Sequence, residues 1–157
     1  MNIGFLGLGK LGLPVSLAVE DKGHKIYGYD ISKQTLEDIR NKKIRYREEW
    51  VDKYLPNTKL EINNLDQLVK NSEIIFVPIQ TPHDPQYEGV TRIPNKRIDF
   101  DYSYLKSGIK DLSEAIEKNG EDKVVIIIST VLPGTIRSQI KPLLGNHTKL
   151  CYNPFFI

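Results

Sequence analysis

Residues 2–12 read Asn2-Ile3-Gly4-Phe5-Leu6-Gly7-Leu8-Gly9-Lys10-Leu11-Gly12, a short apolar run that closes on the pattern G-x-G-x-x-G. Alone the pattern is weak. Here it follows a predicted strand, Asn2 to Leu6, and opens a predicted helix, about Lys10 to Lys22, inside a β-α-β unit. That context gives each glycine a task. Gly7 allows a tight turn, Gly9 lets the backbone approach a pyrophosphate, and Gly12 lets the helix pack closely on the strand. The helix N-terminus then offers free N–H groups and a positive dipole end to an anion. The alternative is a glycine-rich turn that binds nothing, and the flanking strand and helix argue against it.

Working outward, short apolar runs alternate with segments of helical period, the mark of parallel strands joined by crossover helices. Gly23 suits a left-handed end to the first helix. A second strand is expected over Lys25 to Tyr29, then a helix capped by Ser32 and running to Asn41. A short strand near Leu60 to Ile62 precedes a short helix, Leu65 to Lys70. The fourth strand is Ile74 to Val77. Asp101 is placed to cap a helix from Tyr102 to Lys118, with Leu105, Ile109, Leu112 and Ile116 on one face. Val124 to Ile128 is five consecutive β-branched residues, expected to be apolar on both faces of a central strand. A helix from about Thr135 to Leu144 and a strand over Lys149 to Tyr152 complete the set. The fold class is α/β, a doubly wound, mostly parallel, Rossmann-like sheet in a single domain.

Length and composition agree. The 157 residues suffice for one domain with a real core. With 39% hydrophobic and 27% charged residues the chain has a soluble globular composition. A net charge of +2 points to neither nucleic acid nor membrane as a partner. Cys151 is the single cysteine, so no internal disulfide can form and a reducing compartment is expected. The apolar start lacks a basic leader and is interrupted by Lys10 and Pro14, so it is not a signal peptide. No run is long enough to span a bilayer. The expected location is the cytoplasm. Phe155, Phe156 and Ile157 would leave three apolar side chains at a free end, so a natural chain that continues is expected.

Asp30 ends the second strand. Its carboxylate can accept from adenosine ribose hydroxyls and would repel a 2′-phosphate, which favours NAD over NADP. Lys33, close by, tempers that choice. A capping role for Asp30 is the simpler alternative. Thr81-Pro82 follows the fourth strand and Ser129-Thr130-Val131 the fifth, at the sheet edge where ligands bind in open α/β folds. Their hydroxyls can bond ribose, nicotinamide or a water, or can serve only turns and caps.

Two segments break the repeat. Residues 42–59 carry Tyr46, Trp50 and Tyr54 at helical spacing. They are expected to form a helix packing its aromatic face on the domain, the alternative being contact with a missing domain or second subunit. Residues 83–99 form a long Pro-, Gly- and charge-rich connection. His83 can face the cleft but is more ordinarily a solvated loop histidine. Arg40, Lys42, Lys43, Arg45 and Arg47 are followed by Glu48, Glu49 and Asp52, which describes a solvated helix face. His24, His83, His147 and Cys151 are too scattered for a metal site.

Gly7 to Gly12, Asp30, Val77-Pro78-Ile79-Gln80-Thr81-Pro82, Ser129-Thr130-Val131-Leu132-Pro133-Gly134-Thr135 and Asn153-Pro154 occur in the order and spacing of the UDP-glucose/GDP-mannose dehydrogenase family. The chain resembles that family's first domain over nearly its whole length, most specifically in S-T-V-x-P-G-T. The resemblance implies an enzyme that oxidises C6 of a nucleotide sugar from alcohol to acid with NAD, releasing no free aldehyde. It implies that Gly7, Leu8, Gly9, Lys10, Leu11 and Gly12 hold the pyrophosphate and Asp30 the ribose. It implies that Ile79, Gln80, Thr81, Pro82, His83, Ser129, Thr130 and Val131 line the cleft. Thr130 matches the family threonine that positions a catalytic water. The family's nucleophilic Cys, its partner Lys, a central helix used in assembly and the substrate domain would lie beyond this chain. The fragment alone is therefore expected to be inactive and the full-length protein a homo-oligomer. Cys151 does not match the nucleophile and is expected to be an inert buried thiol.

One departure stands out. The family reads Asn-Pro-Glu-Phe-Leu where this chain has Asn153-Pro154-Phe155-Phe156-Ile157. Phe155 cannot move a proton, so another residue serves the second oxidation, or the enzyme stops at a different oxidation level or takes a different substrate. Two other readings remain at this point: a β-hydroxyacid dehydrogenase domain, disfavoured by Asp30 and by S-T-V-x-P-G-T, and a non-catalytic dinucleotide sensor.

Overall fold

The computed structural model describes residues 1–87, 89–92 and 95–155. Phe156 and Ile157, part of the apolar end singled out above, lie outside the described residues. Six strands form one sheet: β1 (Asn2–Leu6), β2 (Lys25–Tyr29), β3 (Glu61–Ile62), β4 (Ile74–Val77), β5 (Lys123–Ile127) and β6 (Thr148–Tyr152). Their spatial order is β3-β2-β1-β4-β5-β6, and every pairing is parallel. This is the Rossmann order, in which the chain reverses its direction of travel across the sheet between β1 and β4.

Among the described residues, five α-helices connect the strands: α1 (Gly12–Asp21), α2 (Lys33–Arg40), α3 (Glu49–Tyr54), α4 (Leu65–Asn71) and α5 (Ser103–Asn119). They divide between the two faces. Alternate strand residues Ile3, Phe5 and Ile26 pack with Leu13 and Leu17 of α1, Ile39 of α2 and Val51 of α3. The other face carries Tyr27, Ile75, Val77, Val125 and Ile127 under Leu68 and Val69 of α4 and Leu105, Ile109, Leu112 and Ile116 of α5. The period-2 alternation of the strands thus feeds two separate cores.

The covering is uneven. Val124 is 37% exposed, Ile126 is half-buried, and their neighbours Lys149 and Cys151 on β6 are exposed. The face of β5 and β6 away from α5 therefore lacks the cover expected of a strand buried on both sides. Cys151 is not the buried thiol expected. β6 is an edge strand whose Leu150 turns to the core, and strand alternation puts Cys151 on the opposite, open face.

Three other expectations need correction. Residues 42–59 hold only a six-residue helix, α3, followed by a 3-10 turn at Leu55–Asn57. Lys42 sits at φ 56°, and Glu48 is extended, so Tyr46 falls outside the helix. Val51 and Leu55, four apart, are the fully buried residues, and of the aromatics Tyr54 packs half-buried beside them. Trp50 is 56% exposed and stacks on Tyr54 at 5.2 Å, with the Lys53 ammonium over both rings. The helix expected over Thr135 to Leu144 is a π-turn, Ile136–Ile140, running into a 3-10 turn, Lys141–Leu143. Pro142 has no N–H to continue an α-helix and its ring crowds the preceding turn. Finally, Tyr102, not Asp101, occupies the cap position of α5, while Asp101 Oδ1 accepts from Ser103 N at 2.8 Å in the turn before it.

Candidate functional site

A cleft of about 800 Å³ opens at the C-terminal edge of the sheet, at the point where the strand order reverses. Its walls come from the ends of β1, β2, β4 and β5, and from α5. At such a switch point, loops diverging to opposite faces leave a crevice between them.

At the β1 side, Gly7 N donates to Tyr29 O at 2.8 Å, so the turn leaving β1 is still tied to β2. Gly7 has φ 117°, a conformation closed to other residues without strain. A Cβ on Gly12 would lie 2.1 Å from Gly7 O, so glycine there allows α1 to start directly against the turn. Gly9 differs: it is exposed in the cleft wall, and a Cβ there would meet nothing within 4 Å. The chain itself gives no reason for a glycine at that position; a ligand pressed on the backbone does.

The start of α1 is bare. No side chain caps it and no acidic residue lies in its first turn. By contrast, Ser32 caps α2 by accepting from Thr35 N, and α4 has a full capping box between Asn64 and Gln67. The first intrahelical donor of α1 is Leu13 N, to Gly9 O at 3.1 Å. The amides before it sit at the mouth of the cleft at the positive end of the helix dipole. Asp30 closes this end. Its Oδ2 accepts from Leu8 N at 2.7 Å and its Oδ1 from Ser32 N at 2.8 Å. The carboxylate thus orders both the glycine turn and the entry to α2, and each oxygen keeps a further acceptor site.

The β4 and β5 end is built differently. Ser129 is buried, and its hydroxyl lies 2.5 Å from Ile79 O and 3.1 Å from Val77 O, so its single proton pins β5 to the turn after β4. Thr81 Oγ1 donates to Thr130 O at 2.6 Å and joins the same two loops. Val131 N donates to the Tyr152 hydroxyl at 3.2 Å and Leu132 N to the Tyr102 hydroxyl at 3.0 Å. Tyr102 in turn donates to Asp99 Oδ1. Burial, with the Asp99 carboxylate beside it, pushes the Tyr102 phenol above its ordinary pKa and keeps it a donor. The S-T-V-x-P-G-T segment is therefore a braced loop. It leaves Thr130 exposed on the cleft wall, next to Phe155, whose N donates to Ile128 O at 3.2 Å.

Of the residues singled out from sequence, Gly7, Gly9, Lys10, Leu11, Asp30, Ile79, Gln80, Thr81, Ser129 and Thr130 line the cleft. Leu8 and Gly12 are buried behind it and act through the backbone. Val131 is buried away from it, and Pro82 and His83 are exposed on the loop beyond. Lys33 is exposed outside the lining, where Thr35 takes the place expected of it. Ser32 caps α2, so the residue three further on faces back to the cleft; the capping spacing was the signal. Sequence reasoning also missed Tyr104, Ser107, Gly108 and Asp111, one stripe of α5. The apolar period of that helix marks only its buried stripe. Among the described residues no cluster of His, Cys, Asp and Glu is placed to hold a metal, and no helix is long and apolar enough to cross a membrane.

The profile of the UDP-glucose/GDP-mannose dehydrogenase family, NAD binding domain, matches residues 1–157. The chain belongs to this family. It is 29% identical to the UDP-N-acetyl-D-mannosamine dehydrogenase of Pyrococcus horikoshii over 154 residues, which is 96% of this chain and 33% of that protein. Protein CapL of Staphylococcus aureus is also 29% identical, over 99% of this chain and 33% of its own length. In three dimensions the GDP-mannose dehydrogenase of Pseudomonas aeruginosa superposes with a TM-score of 0.82 at 24% identity, covering 100% of this chain and 36% of that one. That likeness shows the fold. The chain spans about a third of the relatives it matches. The bare start of α1, the open Gly9 and the Asp30 carboxylate suit the NAD that the family's domain binds.

Proposed function

We propose that this chain binds NAD with its diphosphate at the start of α1 and its adenosine ribose on Asp30, as the cofactor domain of an enzyme that oxidises C6 of a UDP- or GDP-sugar to the uronate. The observation that carries the reading is the uncapped N-terminus of α1, open to the cleft across a glycine with no neighbour of its own. Bound NAD supplies the hydride acceptor. The chain's own residues position it. Gly9 leaves room for the diphosphate, and the amides from Gly9 to Gly12 donate to it. The free acceptor sites of Asp30 take the ribose hydroxyls and oppose a 2′-phosphate by like charge. Thr130 presents a hydroxyl for an ordered water at the reacting end.

Ile128, Ser129, Thr130 and Phe155 line that end, and none of them transfers a proton near neutral pH. Acid–base groups for the chemistry, and the selection of the sugar, fall to the two thirds of the protein that the relatives have beyond this domain. The full protein is read as a cytoplasmic homo-oligomer of polysaccharide biosynthesis, and this domain alone as inactive, because hydride transfer needs a positioned substrate.

The test is thermal. NAD at about a hundred times its Kd should stabilise the chain by about 2.7 kcal/mol, and NADP at the same concentration by clearly less. Equal shifts, or a larger one with NADP, would remove the assignment.

A further inference from the structure

α5 presents two stripes. Leu105, Ile109, Leu112 and Ile116 are buried in the core. Tyr104, Ser107, Gly108 and Asp111, at positions i, i+3, i+4 and i+7, line the cleft. Gly108 packs closely: a Cβ there would fall 2.4 Å from Ile79 Cδ1, the movable end of that side chain. A helix-interior glycine costs about 1 kcal/mol relative to alanine. Here it lets α5 close against the end of β4 and brings the stripe up to the cleft.

α2 and α5 lie on opposite faces of the sheet, so the cleft that holds Asp30 is bounded from two sides. On one are Ile31, Ser32 and Thr35, and on the other Tyr104, Ser107 and Asp111. Leu6, Leu65 and Ile79 give it apolar surface. Ile31 is 89% exposed and lines the cleft, so its side chain is open to a ligand there. The Ser32 hydroxyl is already engaged with Thr35 N, and Asp30 holds two amides. The neighbouring charges on α5 pair elsewhere, Lys110 with Glu114 and Lys118 with Asp66. Asp111 enters none of these pairs.

We infer that Asp111 is a base-specificity residue, a carboxylate that accepts from an exocyclic amine on the purine of the dinucleotide held in this cleft. The inference rests on the NAD reading above, because the ribose on Asp30 is what delivers the base here. Ile31 and Tyr104 supply the flanking apolar surface. A carboxylate accepts and does not donate. It matches the amine of adenine and opposes the keto oxygen that hypoxanthine has at the same position.

The probes are NAD and nicotinamide hypoxanthine dinucleotide, titrated calorimetrically into this chain and into Asp111→Ala and Asp111→Asn. A hydrogen bond to a charged group predicts that the wild-type chain binds NAD roughly tenfold or more tighter than the hypoxanthine analogue. Asp111→Ala should bring the ratio close to one at unchanged melting temperature, since Asp111 is exposed. Asp111→Asn, whose amide can donate to a keto oxygen, should raise affinity for the analogue above that of the wild type. Equal affinity of the wild type for both dinucleotides, or an unchanged ratio in Asp111→Ala, overturns the inference and leaves the NAD reading standing. Binding of neither dinucleotide removes both.

Discussion

The two ends of the cleft both place small residues just beyond strand ends and do opposite things with them. At the β1 end, glycines and a bare helix start leave backbone donors open, and one carboxylate ties the turn to β2. At the β5 end, Ser129 and Thr81 have hydroxyls as free as any in the sequence, and both are engaged by backbone carbonyls across the gap between β4 and β5. One end is the proposed receptor and the other a brace that holds up a single exposed hydroxyl, Thr130. Small polar residues at a strand's C-terminal edge therefore do not announce ligand contacts. What separates the two cases is whether the structure already satisfies them.

The contrast can be broken most sharply within the glycine turn. Gly12→Ala would place a methyl group 2.1 Å from Gly7 O, a backbone atom that cannot swing away. We expect a loss of about 3 kcal/mol and a fall in melting temperature of roughly 6–12 °C. Gly9→Ala should leave the melting temperature unchanged and weaken NAD at least roughly tenfold, through contact with the ligand alone. If Gly9→Ala binds NAD as the parent does, the receptor end is misread.

Asp30→Ala comes next, because it acts on both sides of the distinction. It removes the acceptor from Leu8 N and Ser32 N, for a stability loss of about 1–2 kcal/mol. It should also weaken NAD and narrow the preference over NADP. A drop in stability with an unchanged NAD isotherm would make Asp30 only a clasp. Ser129→Ala should show the reverse profile of Gly9→Ala: about 1 kcal/mol of stability lost and NAD affinity within roughly twofold. A tenfold loss of affinity with no change in stability would turn the brace into a ligand contact. The smallest effect lies outside both ends. Cys151 on the open face of β6 should react with a thiol reagent in the native protein and leave NAD binding untouched. A thiol that reacts only in denaturant would contradict the exposed edge.

Much of this was legible in the chain. The strands and most helix limits follow from periodicity, because a strand buried on one or both faces and an amphipathic helix each write their period into the order of apolar residues. The exceptions have local causes. Pro142 turned an expected helix into a π-turn and a 3-10 turn, and the left-handed Lys42 freed Tyr46 from the helix that its spacing suggested. Trp50 and Tyr54 looked like a core face. Only Tyr54 packs on the domain, half-buried, with Trp50 stacked on it from the solvent side, since Val51 and Leu55 fill most of the space beneath α3.

The sequence by itself determined the parallel α/β architecture, the glycine turn, the acidic residue that ends β2, and the strand ends that meet at one edge. These depend on residues near in the chain or on a repeat that any parallel sheet imposes. Tertiary structure alone decided which hydroxyls were already bonded, that Thr35 and not Lys33 reaches the cleft, that Cys151 is open, and that a second stripe of α5 forms a wall. Each of those is set by what lies across a gap between elements far apart in sequence, and a linear order of residues does not carry that distance.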